Sequence, residues 1–153
     1  MKILCDQMLG TLAKWLRILG FDTFYANKTI SDDELLDIAQ KQKRYLITRD
    51  KELVIRGKKK KLNVIHTKTT DLDKQIAQVL DQITIDKKLI LTRCTHCNSV
   101  IDSINKKDVK NKVPKKVFEY NDKFWYCKKC DKYYWQGGHY DNIIKKIKEL
   151  KKI

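Results

Sequence analysis

Four cysteines in the C-terminal half carry the most specific pattern in the chain. They form two Cys-x2-Cys pairs, Cys94 with Cys97 and Cys127 with Cys130, separated by a 29-residue spacer. Each turn can direct two thiolates at one ion about 2.3 Å away, and four thiolates complete the tetrahedral shell of Zn²⁺. A closed shell has no position for water or substrate, so the predicted zinc site is structural.

Two disulfides, or four unrelated buried thiols, would also fit the cysteine count. We expect zinc because no signal peptide pattern opens the chain, since Asp6 interrupts the short apolar run that follows Lys2. The expected compartment is the reducing cytoplasm, where such motifs favour metal over disulfide. His96 or His139 could replace a cysteine as ligand, but four thiolates already fill the shell, so we expect His139 to pack nearby. Cys5 is expected to be an inert core residue.

The spacer between the two pairs is long enough for a β-hairpin. Its apolar pairs, Val100 with Ile101 and Val117 with Phe118, are the candidate strand positions.

A second group of candidate residues is acidic. Asp6 directly follows the first apolar run, and Asp50 comes just after a later β-favouring run. Asp32 and Asp33 open a predicted helix between them. Because ligands of an open parallel sheet bind beyond the carboxyl ends of its strands, these carboxylates are placed where they can converge.

Converging carboxylates repel one another unless a cation lies between them, and Mg²⁺ or Mn²⁺ suits oxygen ligands. Such a site would hydrolyse phosphodiester bonds. Lys14, Arg17 or Arg49 could bind phosphate beside the acids. Helix capping and the helix dipole explain acids at helix starts equally well, so this alternative stays open for Asp32, Asp33 and Asp50.

The elements that would position these residues alternate between strand and helix, which predicts a parallel sheet with helices on both faces. The predicted strands are 2–5, 22–25, 45–48 and 62–66. The predicted helices are one ended by Gly20, one capped by Ser31, one between Asp50 and Gly57, and one capped by Thr70, with an exposed loop at 58–61.

The pattern divides the chain into three parts. Residues 1–85 form a small α/β domain, and residues 86–88 form a linker. The zinc module occupies residues 89–140. Residues 141–153 form a basic tail that is predicted to be helical.

The charge balance indicates a polyanionic partner. The 153 residues carry a net charge of +15, which points first to nucleic acid and second to an anionic membrane, although a basic surface can also serve solubility alone. Residues 1–85 have a net charge of +5 and residues 86–153 one of +10. No apolar run approaches about 20 residues, so we expect no membrane span.

Aromatic residues cluster around the second cysteine pair, where some must form the core of the zinc module and others are candidates for stacking on unpaired bases. They are Trp125, Tyr126, Tyr133, Tyr134 and Trp135. Trp15 is expected to pack within the first helix.

Two groups of residue runs form a combined pattern. In the first half they are DQMLGTLAKWLRILGFD at 6–22, DDELL at 32–36 and RYLITRD at 44–50. In the second half they are RCTHCN at 93–98, VP at 113–114 and FWYCKKCDKYYWQGGH at 124–139. Taken together, these runs resemble the Mut-seven C-terminal family, a PIN-like RNase domain followed by a zinc ribbon.

The resemblance implies an α/β fold with a small PIN-like parallel sheet flanked by helices, followed by a C-terminal zinc ribbon with four cysteine ligands. It also implies that Asp6, Asp32 and Asp50 bind Mg²⁺ or Mn²⁺ and that RNA is cleaved. Asp32 is preferred to Asp33 because of its spacing from the Glu-Leu-Leu that follows. PIN-type sites often use a fourth acid, for which Asp71 is the candidate.

The leading hypothesis is therefore a metal-dependent endoribonuclease whose zinc ribbon binds RNA. One alternative is a module that binds the ribosome or ribosomal RNA with weak or no nuclease activity. Another is a toxin-like protein whose basic face is held by an acidic partner.

Overall fold

The computed structural model describes residues 1–151. Its first part contains a four-stranded parallel sheet, which confirms the predicted α/β class. The elements of this part are β1 (Lys2–Cys5), a 3-10 turn (Gln7–Leu9), α1 (Gly10–Ile18), β2 (Asp22–Tyr25), α2 (Asp32–Lys41), β3 (Tyr45–Thr48), α3 (Lys51–Lys59), β4 (Val64–His66) and α4 (Leu72–Gln82). The strand order in the sheet is β2-β1-β3-β4.

Side chains of the short strands alternate between two apolar layers. Ile3 and Ile47 pack on one face of the sheet with helices α1 and α4. Leu4 and Leu46 pack on the other face with α2 and α3. Since both faces are covered, the central strands are apolar throughout, as in other parallel sheets.

Two of the predicted helix boundaries are confirmed. Gly20 adopts a φ of +90° at the end of α1, and a Cβ there would collide with the Leu89 carbonyl, so glycine is required. Ser31 caps α2 through a capping box in which the Ser31 hydroxyl accepts from the Glu34 N–H at 3.2 Å.

Two other predicted boundaries were wrong. Helix α3 continues past Gly57 to Lys59 and includes part of the predicted loop. Gly57 does not end the helix; it lies buried against β4, where a Cβ would come within 2.9 Å of Val64 Cγ2. Helix α4 is capped by the Asp71 side chain, which accepts from the Lys74 N–H at 3.1 Å, and not by Thr70.

The second part of the chain contains an antiparallel sheet of strand order β5-β6-β7. The predicted strand at Val117 and Phe118 was wrong, because these residues lie in a helix and the third strand is supplied by 102–104. Phe118 instead stacks on Phe124, with ring centroids 6.5 Å apart. The elements are a 3-10 turn (Lys87–Leu89), β5 (Asp102–Ile104), a 3-10 turn (Lys106–Val109), α5 (Lys115–Tyr120), β6 (Phe124–Cys127), β7 (Lys132–Trp135) and α6 (His139–Lys151).

Helix α6 extends through Lys151 and packs back onto the first part of the chain. Residues 152 and 153 of the predicted helical tail lie outside the described residues. Ile143 and Ile147 are buried in the same core as α1 and α4. Lys146 forms an ion pair with Asp73 of α4 at 2.7 Å. None of the helices in residues 1–151 combines the length and apolarity needed to cross a membrane.

Candidate functional site

Asp6 lies at the crevice between β1 and β3, where the strand order of the sheet reverses. Ligands of doubly wound sheets bind at this switch point. Asp6 is only 5% exposed. Its Oδ1 accepts from the Met8 N–H at 3.1 Å, and its Oδ2 accepts a short hydrogen bond from the Thr48 hydroxyl. A buried carboxylate with a fixed orientation therefore stands at the position where ligands are expected.

Asp50 follows the neighbouring strand and caps α3. Its Oδ1 accepts from the backbone N–H groups of Glu52 at 2.8 Å and Leu53 at 3.3 Å. The capping interpretation is thus confirmed for Asp50. It does not exclude a second role, because a carboxylate has two oxygens and the cap uses Oδ1.

Asp32 and Asp33 occupy the first turn of α2, and both are near Arg56 of α3. Arg56 Nη1 lies 3.8 Å from an Asp32 oxygen, and Nη2 forms a closer ion pair with Asp33. Asp32 lines the same cleft as Asp6 and Asp50, whereas Asp33 does not. The position of the two acids at a helix start did not distinguish them, although the family resemblance favoured Asp32; in the structure only Asp32 lines the cleft.

The cleft that these three acids share is small, about 60 Å³. In residues 1–151, the four cysteine sulfurs are the only set of three or more Cys, His, Asp or Glu ligand atoms that all lie within 4.8 Å of one another. The carboxylates of Asp6, Asp32 and Asp50 are therefore spread more widely. Ala26, Ile30, Leu35 and Leu53 supply apolar walls.

The electrostatics of the cleft act mainly on Asp6. Burial raises the pKa of Asp6, hydrogen bonds from Thr48 and Met8 lower it, and the negative charges of Asp50 and Asp32 raise it again, so the pKa lies above its ordinary value. Both burial and like-charge repulsion disfavour the ionised acid. A cation in the cleft would remove that penalty.

The other candidate residues lie outside the acidic cleft. Asp71 is the cap of α4, and Lys14 is exposed on α1. Arg49 lines a neighbouring cavity of about 270 Å³ whose wall it shares with Met8, and Met8 also lines the acidic cleft. Arg49 Nε is buried and has no hydrogen-bond partner within residues 1–151. Arg49 is thus the basic candidate that the structure puts beside the cleft.

The four cysteines of the two pairs converge as predicted, with their sulfurs all within 4.8 Å of one another. Cys97 Sγ lies 3.5 Å from Cys127 Sγ. Burial raises the pKa of Cys97, but hydrogen bonds from Ser99 and the neighbouring thiols lower it to about 6, whereas burial and the neighbouring thiols raise the pKa of Cys130 to about 12. Thiols this close cannot all ionise without a cation between them, and four thiolates fit Zn²⁺.

Two polar contacts at these sites were not predicted from the sequence. The Tyr134 hydroxyl lies 3.1 Å from Cys94 Sγ, where it can support the metal ligand as an outer hydrogen-bond partner. Thr48 holds Asp6 and also accepts from the Asp50 N–H at 3.0 Å. The only signal for Thr48 was its place at the end of an apolar strand.

A family model, that of the Mut7-C RNAse domain, matches residues 1–147. The chain belongs to the Mut7-C RNAse domain family. No curated protein and no solved structure matches it.

The match to the Mut7-C RNAse domain spans both parts of the chain, and Arg17 joins them. Its Nε donates to the Thr23 carbonyl at 3.0 Å, and its Nη1 donates to the carbonyls of Thr95 at 3.0 Å and His96 at 3.1 Å. Arg17 was predicted to contact phosphate, but the structure uses its guanidinium to hold the first cysteine turn against β2.

Asn98 makes the reciprocal contact in this Mut7-C RNAse domain. Its Oδ1 accepts from the Thr23 N–H at 2.9 Å, and its Nδ2 donates to Asp22 Oδ1 at 2.8 Å. The same Asp22 oxygen accepts from Arg44 at 2.9 Å. Because β2 is an edge of the parallel sheet, the cysteine turn covers part of that edge.

Proposed function

We propose that this protein is a ribonuclease that hydrolyses RNA phosphodiester bonds with the help of Mg²⁺ or Mn²⁺. The observation that carries the proposal is that Asp6, Asp32 and Asp50, from three separate segments, line one cleft at the switch point between β1 and β3. Membership of the Mut7-C RNAse domain family supports a nuclease-like role.

The three acids have different surroundings and so different roles. Asp6 is buried and held by Thr48, which makes it the fixed anchor of the site. Asp50 is oriented by the helix α3 that it caps, because its Oδ1 accepts from the Glu52 N–H. Asp32 is exposed, with 58% of its side chain accessible, and it lines the cleft from the first turn of α2.

The donor set fits a hard divalent cation. All three side chains offer carboxylate oxygen. Mg²⁺ usually keeps several waters and binds through only one or two carboxylates, so acids that do not all lie within 4.8 Å of one another are compatible with it. When bound, the ion would polarise the scissile phosphate and lower the pKa of the attacking water. Asp6, Asp32 and Asp50 would hold it, and Arg49 would bind a flanking phosphate.

The cysteine cluster would hold a structural zinc ion and keep the ribbon folded. The ribbon at residues 89–140 has 11 Lys and Arg against 5 Asp and Glu, a net charge of +6, and is proposed to supply much of the RNA affinity. Reduced thiols suit the cytoplasm as the site of action.

The test is cleavage of labelled RNA by the purified protein with Mn²⁺. We expect cleavage to stop in EDTA and in Asp6→Asn and Asp50→Asn, while RNA binding persists. Asp81→Asn, an exposed acid on α4, is the matched control and should cleave normally. Cleavage that survives both aspartate substitutions would rule out this cleft as the active site.

A second candidate function is binding of the ribosome or ribosomal RNA without turnover. It is favoured because, within the described residues, the three acids do not all meet within 4.8 Å of one another and Asp71 does not line the cleft. A binder of this kind would hold RNA with an affinity that falls steeply with salt, because Lys and Arg release counterions. It would show no Mn²⁺-dependent cleavage at any enzyme concentration.

A further inference from the structure

Strand β7 is an edge strand of the ribbon sheet and lines two cavities. The two cavities measure about 430 and about 370 Å³, within the range of about 300–1,000 Å³ that is usual for ligand pockets. They share the four residues Thr95, Tyr133, Tyr134 and Trp135. We call this continuous surface the β7 groove.

The two ends of the β7 groove differ in chemistry. One end runs under α6 and is apolar, with Trp15 and Ile143 in its wall. The other end is lined by Lys112 and Lys132 together with one acid, Asp131, which leaves an excess of one positive charge. Asp131 Oδ1 is engaged by the Tyr126 hydroxyl at 2.7 Å. The groove therefore combines apolar and aromatic surface with positive charge, which is the combination that single-stranded nucleic acid binds.

The aromatic side chains of the groove are partly accessible. Tyr133 and Trp135 are both half-buried and are two residues apart on β7, so they project from the same face of the strand. Tyr133 rests on Tyr126, with ring centroids 4.9 Å apart, which fixes its position. Tyr134 points the other way and is engaged by Cys94. Tyr133 and Trp135 thus remain available to a ligand.

We propose that the β7 groove binds unpaired bases of single-stranded RNA, with Tyr133 and Trp135 as stacking residues and Lys112 and Lys132 as phosphate contacts. Stacking on aromatic rings is sequence-tolerant because every base has a π-face. Duplex RNA keeps its bases stacked inside and offers mainly shape, phosphates and 2′-hydroxyls. The choice of RNA as ligand rests on the proposed function.

A protein surface is a less suitable occupant for this groove. Lysines at its rim and the net charge of +10 over residues 86–153 would repel a second copy of the same basic chain. Strand β7 has four residues, one of which is Lys132, and a short edge with a lysine disfavours pairing with another strand. Self-association is therefore an outcome that the test must be able to detect.

The test measures binding of a fluorescein-labelled oligouridylate by anisotropy, in EDTA so that nothing is cleaved. Tyr133→Ala and Trp135→Ala should each weaken binding roughly 5- to 150-fold, the range that corresponds to the loss of one stacked base. Neither substitution should change the salt dependence. Tyr120→Ala is the matched control, because Tyr120 is an aromatic residue of the same ribbon that is 83% exposed and lines neither cavity.

The lysines provide a second, independent readout. Lys112→Gln and Lys132→Gln should each reduce the slope of log affinity against log salt by about 0.7, the value for one phosphate contact on a single strand. Lys116→Gln, an exposed lysine on α5 that lines neither cavity, should leave affinity and slope closer to those of the parent protein. Duplex RNA of the same length should be insensitive to the aromatic substitutions.

Loss of fold must be separated from loss of stacking. Each variant is assayed for bound zinc, and Trp135→Phe and Tyr133→Phe should restore most of the affinity because they keep an aromatic face. Photocrosslinking of a 5-iodouridine oligonucleotide to the unmutated protein should label the peptide that contains β7. Crosslinks confined to other peptides would overturn the proposal.

Failure of this inference and failure of the nuclease proposal give different results. If the Tyr133 and Trp135 variants bind oligouridylate as tightly as the Tyr120→Ala control does, the proposal that the β7 groove binds RNA is overturned. This holds whether or not the protein cleaves RNA. Affinity that depends on Tyr133 and Trp135, in a protein without Mn²⁺-dependent cleavage, upholds the groove and refutes the nuclease. Self-association that is lost in the groove variants, with RNA affinity unchanged, would make the groove an interface between copies and overturn the inference.

Discussion

The Thr48 hydroxyl donates a hydrogen bond to the Asp6 carboxylate at the point where the loops after β1 and β3 meet. The same hydroxyl oxygen accepts from the Asp50 N–H at 3.0 Å. Thr48 is fully buried. One side chain therefore links the two loops that carry two of the three cleft acids, and it fixes the distance between them without being a ligand itself.

Replacing Thr48 with valine should remove this link while keeping the side-chain shape. The Asp6 carboxylate loses a donor, so we expect the free energy of unfolding to fall by about 1–3 kcal/mol. The Thr48 hydrogen bond lowers the pKa of Asp6, so its loss should raise that pKa. The pH below which Mn²⁺ binding weakens should therefore move to a higher value. Urea denaturation and Mn²⁺ titration across pH check both effects.

Thr67→Val is the control for the loss of a buried threonine hydroxyl. Thr67 is also fully buried, but its hydroxyl has no hydrogen-bond partner in residues 1–151. Its replacement should leave stability unchanged or slightly higher, and the pH dependence of Mn²⁺ binding should not move. Equal effects of the Thr48 and Thr67 substitutions would mean that the hydrogen bond from Thr48 to Asp6 contributes nothing specific to stability or to Mn²⁺ binding.

Asp6 itself should destabilise the metal-free protein at neutral pH. Its pKa in the folded state lies above the ordinary value, so between those two values the folded protein binds more protons than the unfolded chain. The free energy of unfolding therefore falls as pH rises through that window. In EDTA, Asp6→Asn should raise the melting temperature at neutral pH and make no difference well below the ordinary pKa of aspartate. A lower melting temperature at neutral pH would contradict the assignment.

The order of the strands explains why the acidic cleft was predictable from the sequence. Each acid follows a strand or opens a helix, and parallel strands bring such positions to one edge, so Asp6 and Asp50 were expected together. The distinction between Asp32 and Asp33 was not available from that pattern. It depends on the rotation of α2 about its axis, which is set by the burial of Leu35 and Leu36 against the sheet.

Asp32 and Asp33 therefore provide a matched pair of substitutions. Both side chains contact Arg56, so Asp32→Asn and Asp33→Asn disturb the same arginine, but only Asp32 lines the cleft. We expect Asp32→Asn to lower cleavage about 100-fold, the scale on which loss of one preorganised polar group acts, and Asp33→Asn to have little effect. Single-turnover cleavage with Mn²⁺ measures both. If both variants lose the same amount of cleavage, the loss comes from the disturbance of Arg56 and not from a role of Asp32 in the cleft.

In the ribbon, the cysteine cluster was predicted correctly from the sequence, but one of the strands was not. The spacing of the cysteines was sufficient to predict their convergence, because a Cys-x2-Cys turn is a local structure. The strand at Val117 and Phe118 was wrong because a short apolar pair fits helix and strand equally well. In the structure the segment is helical, and Phe118 stacks on Phe124 of β6, a contact that the pattern did not predict.

Zinc removal should unfold the ribbon and weaken the first part of the chain as well. We expect one zinc ion per chain, and Cys94→Ser or a strong chelator should expose residues of the ribbon to hydrogen exchange. The sheet should remain folded but exchange faster at β2, because Asn98 pairs with its Thr23 N–H. Cys5→Ala is the control, since Cys5 is buried in the core away from the cluster and its loss should not change the zinc content.

Arg17 should act in domain docking and not in phosphate binding. Arg17→Ala removes donors to the carbonyls of Thr95 and His96, and loss of a charged donor at a half-buried site should cost about 1.5–3 kcal/mol. Lys14→Ala, one turn earlier on the same helix and exposed, should cost almost nothing.

We expect Arg17→Ala to increase hydrogen exchange in residues 94–98 while the salt dependence of RNA binding stays the same, because no phosphate contact is lost. A shallower salt slope with unchanged exchange would instead support the phosphate contact that was predicted from the sequence.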